Sequence, residues 1–263
     1  MEKLNIIDFQ KRKLKKFYLS TYIITKDIKI RADTCISDRK LYVLFGYDFI
    51  GDRQILGMYF GNDNDQRFWL ERFEEIQSRG VEKIMFFVTP KNKNIERCIK
   101  IVYNGIKIVH SPDEVLTSIT RFLADRPSRK LKLELKNLFL EENIEKFKEE
   151  LKKFKEIYVD NQIVKVLLDK KEQQIEEYYQ YSKELREVFY PYYPIYEMKK
   201  YLNKIKTKEP LCRNINEVME FCLPYINSFE SGRSYSKADW LSLMGRIYAN
   251  KEYARELEEY IDD

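Results

Sequence analysis

Gly46-Tyr47-Asp48-Phe49-Ile50-Gly51-Asp52-Arg53-Gln54-Ile55-Leu56-Gly57, followed by Phe68-Trp69-Leu70, Ser78-Arg79-Gly80 and Phe87-Val88-Thr89-Pro90, is the stretch whose order decides the fold. Just ahead of it, Leu41-Tyr42-Val43-Leu44-Phe45 is a short apolar run of the kind that makes a buried strand. Asp48 to Asp52, with Gly51, makes a turn, and Gln54 to Phe60 is the returning strand. Gly61-Asn62-Asp63-Asn64-Asp65 supplies helix N-cap chemistry. The helix runs to about Arg79, with Gly80 at its C′ position. Trp69, Phe73 and Ile76 recur at spacings of four and three, which sets them on one helix face. Lys83 to Val88 is the next strand.

Upstream, Phe17 to Arg31 reads as a first strand, and Ile28-Lys29-Ile30-Arg31 alternates with period two. Two hairpin-linked strands after it imply an antiparallel start to the sheet. Downstream come a helix from Ile95 to Tyr103, a turn at Asn104-Gly105 and a short strand from Ile106 to Val109. Pro112 opens a further helix, with Asp113 and Glu114 in its first turn. The pattern β-β-β-α-β-α-β-α is the order of a ribonuclease-H-like domain. This is an α/β fold, a mixed five-stranded sheet with helices on both faces.

From Arg126 to Lys208 the chain is rich in Lys, Glu, Tyr and Leu and has no glycine. Glu142 to Ile157 and Gln162 to Phe189 read as long amphipathic helices; Tyr190-Pro191-Tyr192-Tyr193-Pro194 breaks the pattern and Ile195 to Lys206 resumes it. This is an all-helical insertion or an independent helical domain. Pro210 marks the return to the core. A helix from Asn214 to Tyr225, a loop over Ser228 to Ser234 and a terminal helix from Lys237 to Glu259 with Trp240 buried complete the chain. The expected organisation is a basic leader over 1–16, the first part of the core over 17–125, the insertion over 126–209 and C-terminal core helices over 210–263.

With 263 residues, 44% of them apolar, the chain is long enough to bury a sizeable core. Tyrosine (20) and phenylalanine (16) outnumber glycine (8), which favours packed aromatics over disorder. The net charge of +5 is a small excess over a surface in which 35% of residues are charged, so the balance permits a nucleic-acid partner without requiring one. Cys35, Cys98, Cys212 and Cys222 form no CxxC pair and His110 is the single histidine, which argues against a zinc site and for free thiols. A lone histidine also gives no support to a catalytic triad. No apolar run approaches the roughly 18 residues of a membrane span, and no apolar segment backs the N-terminal basic residues as a secretion signal would require. The expectation is a cytoplasmic protein with no membrane partner. Basic patches at Lys11–Lys16, Arg126–Lys136 and Lys199–Lys208 are candidate phosphate contacts, each with a solvated helix face or loop as its plainer reading. The tyrosines at 190–193 are either base-stacking groups or an aromatic plug.

The order of glycine turn, strand carrying Leu56-Gly57, helix opening with Phe68-Trp69-Leu70 and closing Arg79-Gly80 resembles the catalytic core of Mutator-type bacterial insertion-sequence transposases. The resemblance covers roughly residues 20 to 250 and is specific between Gly46 and Ile99. It implies a ribonuclease-H-like fold in which two aspartates and a glutamate hold two Mg²⁺ ions. The family's first aspartate precedes the arginine of a Lys-Val-Arg-like triplet by seven residues. Lys29-Ile30-Arg31 matches that triplet and places the position at Ile24. Asp27 and Asp33 are out of register with it by odd numbers of residues, hence on the other strand face. The second aspartate corresponds to Pro90 in Val88-Thr89-Pro90-Lys91-Asn92-Lys93-Asn94-Ile95. The Gln-x-Cys-x-x-His of the family has no counterpart near Val109-His110-Ser111-Pro112. The glutamate lies in a Thr-Thr-Asn-x-x-Glu pattern, of which Cys212-Arg213-Asn214-Ile215-Asn216-Glu217 keeps the Asn and the Glu. Only the short leader precedes the first strand, so the family's long N-terminal DNA-binding region is expected to be absent.

Glu217 is therefore the one matching catalytic acid, with Ile24 and Pro90 at the other two positions. The resemblance implies a transposase-derived protein that binds DNA without catalysis, with Lys29, Arg31, Lys91, Lys93, Arg129, Lys130 and Lys132 as the candidate DNA contacts. No cofactor is expected; Mg²⁺ enters only if the protein is active. Two other classes stay open. One is a protein-interaction module, or homo-oligomer, docking through the aromatic helical insertion. The other is an active metal-dependent transposase or nuclease with relocated carboxylates drawn from Asp27 or Asp33, Asp113 and Glu217.

Overall fold

A computed structural model describes residues 6–32, 35–110, 134, 137–138, 140–157, 162–189, 192–206, 211–232 and 236–258. The chain divides into two compact units, Met1–Ile108 with Pro191–Asp263, and Val109–Tyr190.

β1 (Phe17–Ala32), β2 (Cys35–Tyr47), β3 (Arg53–Phe60), β4 (Lys83–Thr89) and β5 (Lys107–His110) form one sheet in the order β3-β2-β1-β4-β5, all of it in the first unit except the last two residues of β5. β1 pairs antiparallel with β2 and parallel with β4. This is the mixed sheet expected from the sequence. The β1–β2 hairpin is longer than the apolar run suggested. Cys35 to Lys40 carries no alternation of its own, but it is held by β1, whose Ile28 and Ile30 are buried. At the β2–β3 turn, Asp48 Oδ1 accepts from the backbone N–H of Ile50 and Asp52 at 3.0 and 2.8 Å. Gly51 follows with φ +81°, beneath the Trp240 indole.

Helices cover both faces. α2 (Gln66–Ser78) starts at Asp65, whose side chain accepts from Phe68 N, and ends before Gly80, which has φ 110°. Trp69, Phe73 and Ile76 are its buried residues. Trp69 meets Tyr42 edge to face at 4.8 Å, and Phe73 meets Phe87 at 5.8 Å. α3 (Lys93–Val102) packs beside α2 and buries Ile95, Cys98 and Ile99. On the opposite face lie α7 (Tyr192–Lys206), α8 (Ile215–Ser231), α9 (Lys237–Tyr248) and α10 (Lys251–Glu258). There Phe45 meets Phe229 at 5.3 Å, Tyr47 stacks on Trp240 at 5.5 Å and Phe86 meets Tyr253 at 5.9 Å.

Three expectations for the C-terminal segment need correction. α8 passes through Pro224 to Ser231, so Ser228 to Ser231 is helix and not loop. Proline removes one helical donor, and the carbonyl left without it belongs to exposed Glu220. The terminal helix is two helices, α9 and α10, divided at Ala249 and Asn250. α7, assigned by sequence to the insertion, groups with the sheet, because it packs on β1 and on α8.

The described part of the leader, from Ile6, is folded. In α1 (Ile6–Lys11) Phe9 is buried. Arg12 pairs with Glu230 and donates to Ile55 O at 2.7 Å, while Ile55 N donates to Glu230 Oε1 at 2.7 Å. Arg79 Nη1 donates to Leu56 O at 2.6 Å. These side chains occupy hydrogen-bonding groups along the edge strand β3, which would otherwise invite another strand.

The second unit contains α4 (Ile144–Ile157), α5 (Gln162–Tyr179) and α6 (Lys183–Phe189). The single helix expected from Gln162 to Phe189 is broken at Gln180 to Ser182, where Ser182 caps α6 by accepting from Leu185 N. Lys155 of α4 bridges Asp169 and Glu172 of α5 at 2.8 and 3.0 Å. Arg186 is buried, donates to Glu142 O at 2.9 Å and lies 4.1 Å over the Tyr179 ring. Pro112 and its expected helix, Pro210, and the tyrosine cluster's Tyr190 and Pro191 lie outside the described residues.

Candidate metal and nucleic-acid site

Ile24 lies within β1 and pairs with Val43 of β2. On its other side the parallel register between β1 and β4 reaches Tyr22 opposite Val88. Pro90 directly follows β4, two residues past Val88, as Ile24 lies two residues past Tyr22. Ile24 thus sits midway along β1, and Pro90 just beyond the end of β4. Ile24 shares the strand face of Tyr22, which stacks on Phe45 at 4.8 Å on the α8 side of the sheet. It is 4% exposed. Two residues on, Lys26 Nζ donates to Asn203 Oδ1 of α7 at 2.5 Å, so α7 crosses β1 near this point. Neither isoleucine nor proline offers the side-chain oxygen that Mg²⁺ requires, and these residues do not fit a two-ion site.

The loop after β4 is committed to starting α3. Asn92 Oδ1 accepts from Asn94 N and Ile95 N at 2.9 and 3.2 Å, and Glu96 Oε1 accepts from Asn92 N at 2.9 Å. This is a reciprocal cap.

Glu217 is engaged in the same way at the start of α8. Asn214 Oδ1 accepts from Glu217 N at 3.0 Å, and Glu217 Oε2 accepts from Arg213 N at 2.9 Å. The Asn-x-x-Glu spacing therefore closes a helix end. α8 packs on β3, and just ahead of it Cys212 O accepts from Arg31 N of β1 at 2.9 Å. Beside its N-terminus lies a cavity of about 840 Å³ lined by Ile30, Lys40, Asp63, Arg213 and Asn214 among others. Its charges are already matched in part: Asp63 pairs with Lys40 and accepts from the Tyr42 hydroxyl at 2.6 Å. Burial, then the bond to Asp63, holds that phenol well above its ordinary range.

Of the relocated acids, Asp27 and Glu217 fall within the described residues. Asp27 is exposed, and its charge is felt by Tyr42, which packs on Trp69 on the face opposite Ile24. Asp33 and Asp113 lie outside the described residues, and among the described residues no group of three or more His, Cys, Asp or Glu side chains could hold a metal. Burial pushes the Cys222 thiol up to about 12, with nearby Cys212 adding to the shift.

Of the candidate DNA contacts, Lys91 and Lys93 are exposed beside Pro90 at the start of α3. Lys29 and Arg31 are exposed five and seven residues beyond Ile24, about 16 and 23 Å farther along the strand. Arg129, Lys130 and Lys132 lie outside the described residues.

No described helix is long and apolar enough to cross a membrane. A family model described as "Transposase, Mutator family" matches residues 2–209. The probable transposase for insertion sequence element ISRM3-like of Sinorhizobium fredii (strain NBRC 101917 / NGR234) is 26% identical over 96 residues, 36% of this chain and 24% of the relative. The transposase for insertion sequence element ISRM3 of Rhizobium meliloti (strain 1021) is 25% identical over 96 residues, again 36% and 24%. The aligned stretch thus spans about a quarter of the length of these relatives.

Proposed function

The chain belongs to the Mutator family of transposases, and on that premise we propose that it binds DNA while lacking the metal-dependent chemistry of a two-ion active site. The observation that carries this reading is what fills the two positions where the family pattern expects aspartates, Ile24 and Pro90. One is a buried isoleucine within β1 and the other a proline directly after β4, whereas a two-ion site needs carboxylates that converge on the ions. A buried aliphatic side chain and a proline leave no first-strand or fourth-strand ligand, and Glu217 is occupied as a helix cap. What remains on the scaffold is binding. Phosphate contacts from lysine and arginine depend steeply on salt.

Two measurements on the full chain test this. Titration with Mg²⁺ or Mn²⁺ leaves the thermal midpoint unchanged, because no site gains ligand energy on folding. Binding to duplex DNA weakens steeply as salt rises. A midpoint that climbs with metal concentration, or DNA affinity indifferent to salt, would overturn the proposal.

A further inference from the structure

We infer that the C-terminal half of the edge strand β3 is a docking site for an extended peptide segment of another polypeptide, which adds to the sheet beside Met58 and Phe60. It does not rest on the DNA-binding reading above. Gly61 N donates to Lys40 O, and the register continues with Phe60 opposite Leu41, Tyr59 opposite Tyr42, Met58 opposite Val43 and Gly57 opposite Leu44. Successive pairs of an antiparallel ladder alternate between hydrogen-bonded and not. Tyr59 and Gly57 therefore bond to β2, while the N–H and C=O of Met58 and Phe60 point away from it, off the edge of the sheet. Nearer the start of β3, Arg12, Arg79 and Glu230 take up outward groups of Ile55 and Leu56. Among the described residues no hydrogen bond closes on the outward groups of Met58 and Phe60.

These open groups are not on a bare surface. Met58 is buried, and the strand here lines a cavity of about 530 Å³. Buried backbone groups are nearly always paired, so an edge left open inside a cavity calls for a partner with backbone donors and acceptors of its own. Phe9 of α1 and Ile215 and Met219 of α8 line the cavity from one side of the sheet, and Phe68 and Arg72 of α2 line it from the other. A strand laid between them points alternate side chains at the two walls. The first wall is apolar. On the second, Arg72 is already paired with Glu75 at 3.1 Å, so that wall suits a small polar side chain and not a charge. The segment that fits is short, extended and uncharged, with an apolar residue at every other position.

The test uses the full chain, isotope-labelled for NMR, and the blocked pentapeptide Thr-Val-Thr-Val-Thr. Amide exchange is followed at Met58 and Phe60, with Gly57 and Tyr59 as references inside the same strand. With peptide at about ten times its dissociation constant, exchange at Met58 and Phe60 slows about ten-fold and the references do not change. Two further peptides separate strand pairing from mere filling of an apolar cavity, one N-methylated at both valines and one at all the threonines. Only one of these two sets of residues turns its N–H groups to β3, so one methylated form loses binding and the other keeps it. Equal binding by the two methylated forms, or no slowing with the parent peptide up to millimolar concentration, overturns the inference. Slowing at Met58 and Phe60 that follows protein concentration without any peptide would make the occupant a second copy of this chain, and peptide docking would be wrong.

Discussion

Replacing Ile24 by aspartate asks the structure whether its first-strand position is still a place for a carboxylate. The side chain is 4% exposed. Its burial contributes about 1.5–3 kcal/mol, most of which aspartate forfeits. The introduced carboxyl also has to stay uncharged or be buried as an ion, and protonation sets the ceiling on that cost. From an unfolded value near 3.9 to pH 7 is about three units at ~1.4 kcal/mol each, roughly 4 kcal/mol; at pH 5 the same ceiling is about 1.5 kcal/mol. A folded value raised above the unfolded one gives stability at low pH that is lost as pH rises, so Ile24→Asp should be hurt more at pH 7 than at pH 5. The expected loss is about 4–6 kcal/mol at pH 7, with about 2–3 kcal/mol recovered at pH 5. Ile24→Asn, similar in size and without a titrating group, should show the apolar loss and no such recovery. Urea denaturation of the three proteins at both pH values gives these numbers. A cost below about 1 kcal/mol at pH 7, or rescue of Ile24→Asp by Mn²⁺, would mean that the position is solvated and ready for an ion, and the reasoning would fail.

Gly51→Ala should lose about 1–3 kcal/mol in the same assay, because φ is +81° and a Cβ would approach the Trp240 ring to 2.7 Å; an unchanged midpoint would refute the close packing. Asn214→Ala should cost about 1 kcal/mol through its lost cap. Glu217→Gln retains an acceptor for Arg213 N and should cost under about 0.5 kcal/mol with DNA affinity unchanged; a folded Glu217→Gln that no longer bound DNA would contradict the capping role. Burial is the main reason that the Tyr18, Tyr42, Tyr59 and Tyr103 phenols and the Cys222 thiol all lie above their ordinary values of 10.0 and 9.0. Raised values stabilise below the unfolded pKa and lose that contribution above it. The melting midpoint should therefore fall from about pH 9 upward, with tyrosinate absorbance appearing only on unfolding; early tyrosinate signal in folded protein would show these hydroxyls to be accessible.

The sequence disclosed what local chemistry controls. Asp65 and Gly80 bracket a helix whose Trp69, Phe73 and Ile76 repeat on one face, and the structure buries all three. Motif spacing singles out Ile24 and Pro90, and the structure sets the first within β1 and the second directly after β4, the strand that pairs with β1. Pairing and packing across the chain were harder to read. Cys35 to Lys40 is a strand because β1 holds it, not because of its own pattern. The break between α5 and α6 has no glycine or proline to announce it, and its one clue was Ser182 as a possible cap. Nothing local revealed that α7 would lie on β1, since its lysine-rich pattern matches the helices of the second unit. Glu217 was found by a motif, yet the same Asn-x-x-Glu spacing also makes a helix cap, and the hydrogen bonds show that cap formed.

The central claim is that this scaffold holds DNA without metal chemistry. Its most direct test is to titrate one labelled duplex with the full chain in chelator and in Mg²⁺ at equal ionic strength, and to score strand integrity in the same samples. The account predicts equal affinity and unbroken strands under both conditions. Binding that appears only with Mg²⁺, or strand breakage that depends on it, would contradict it.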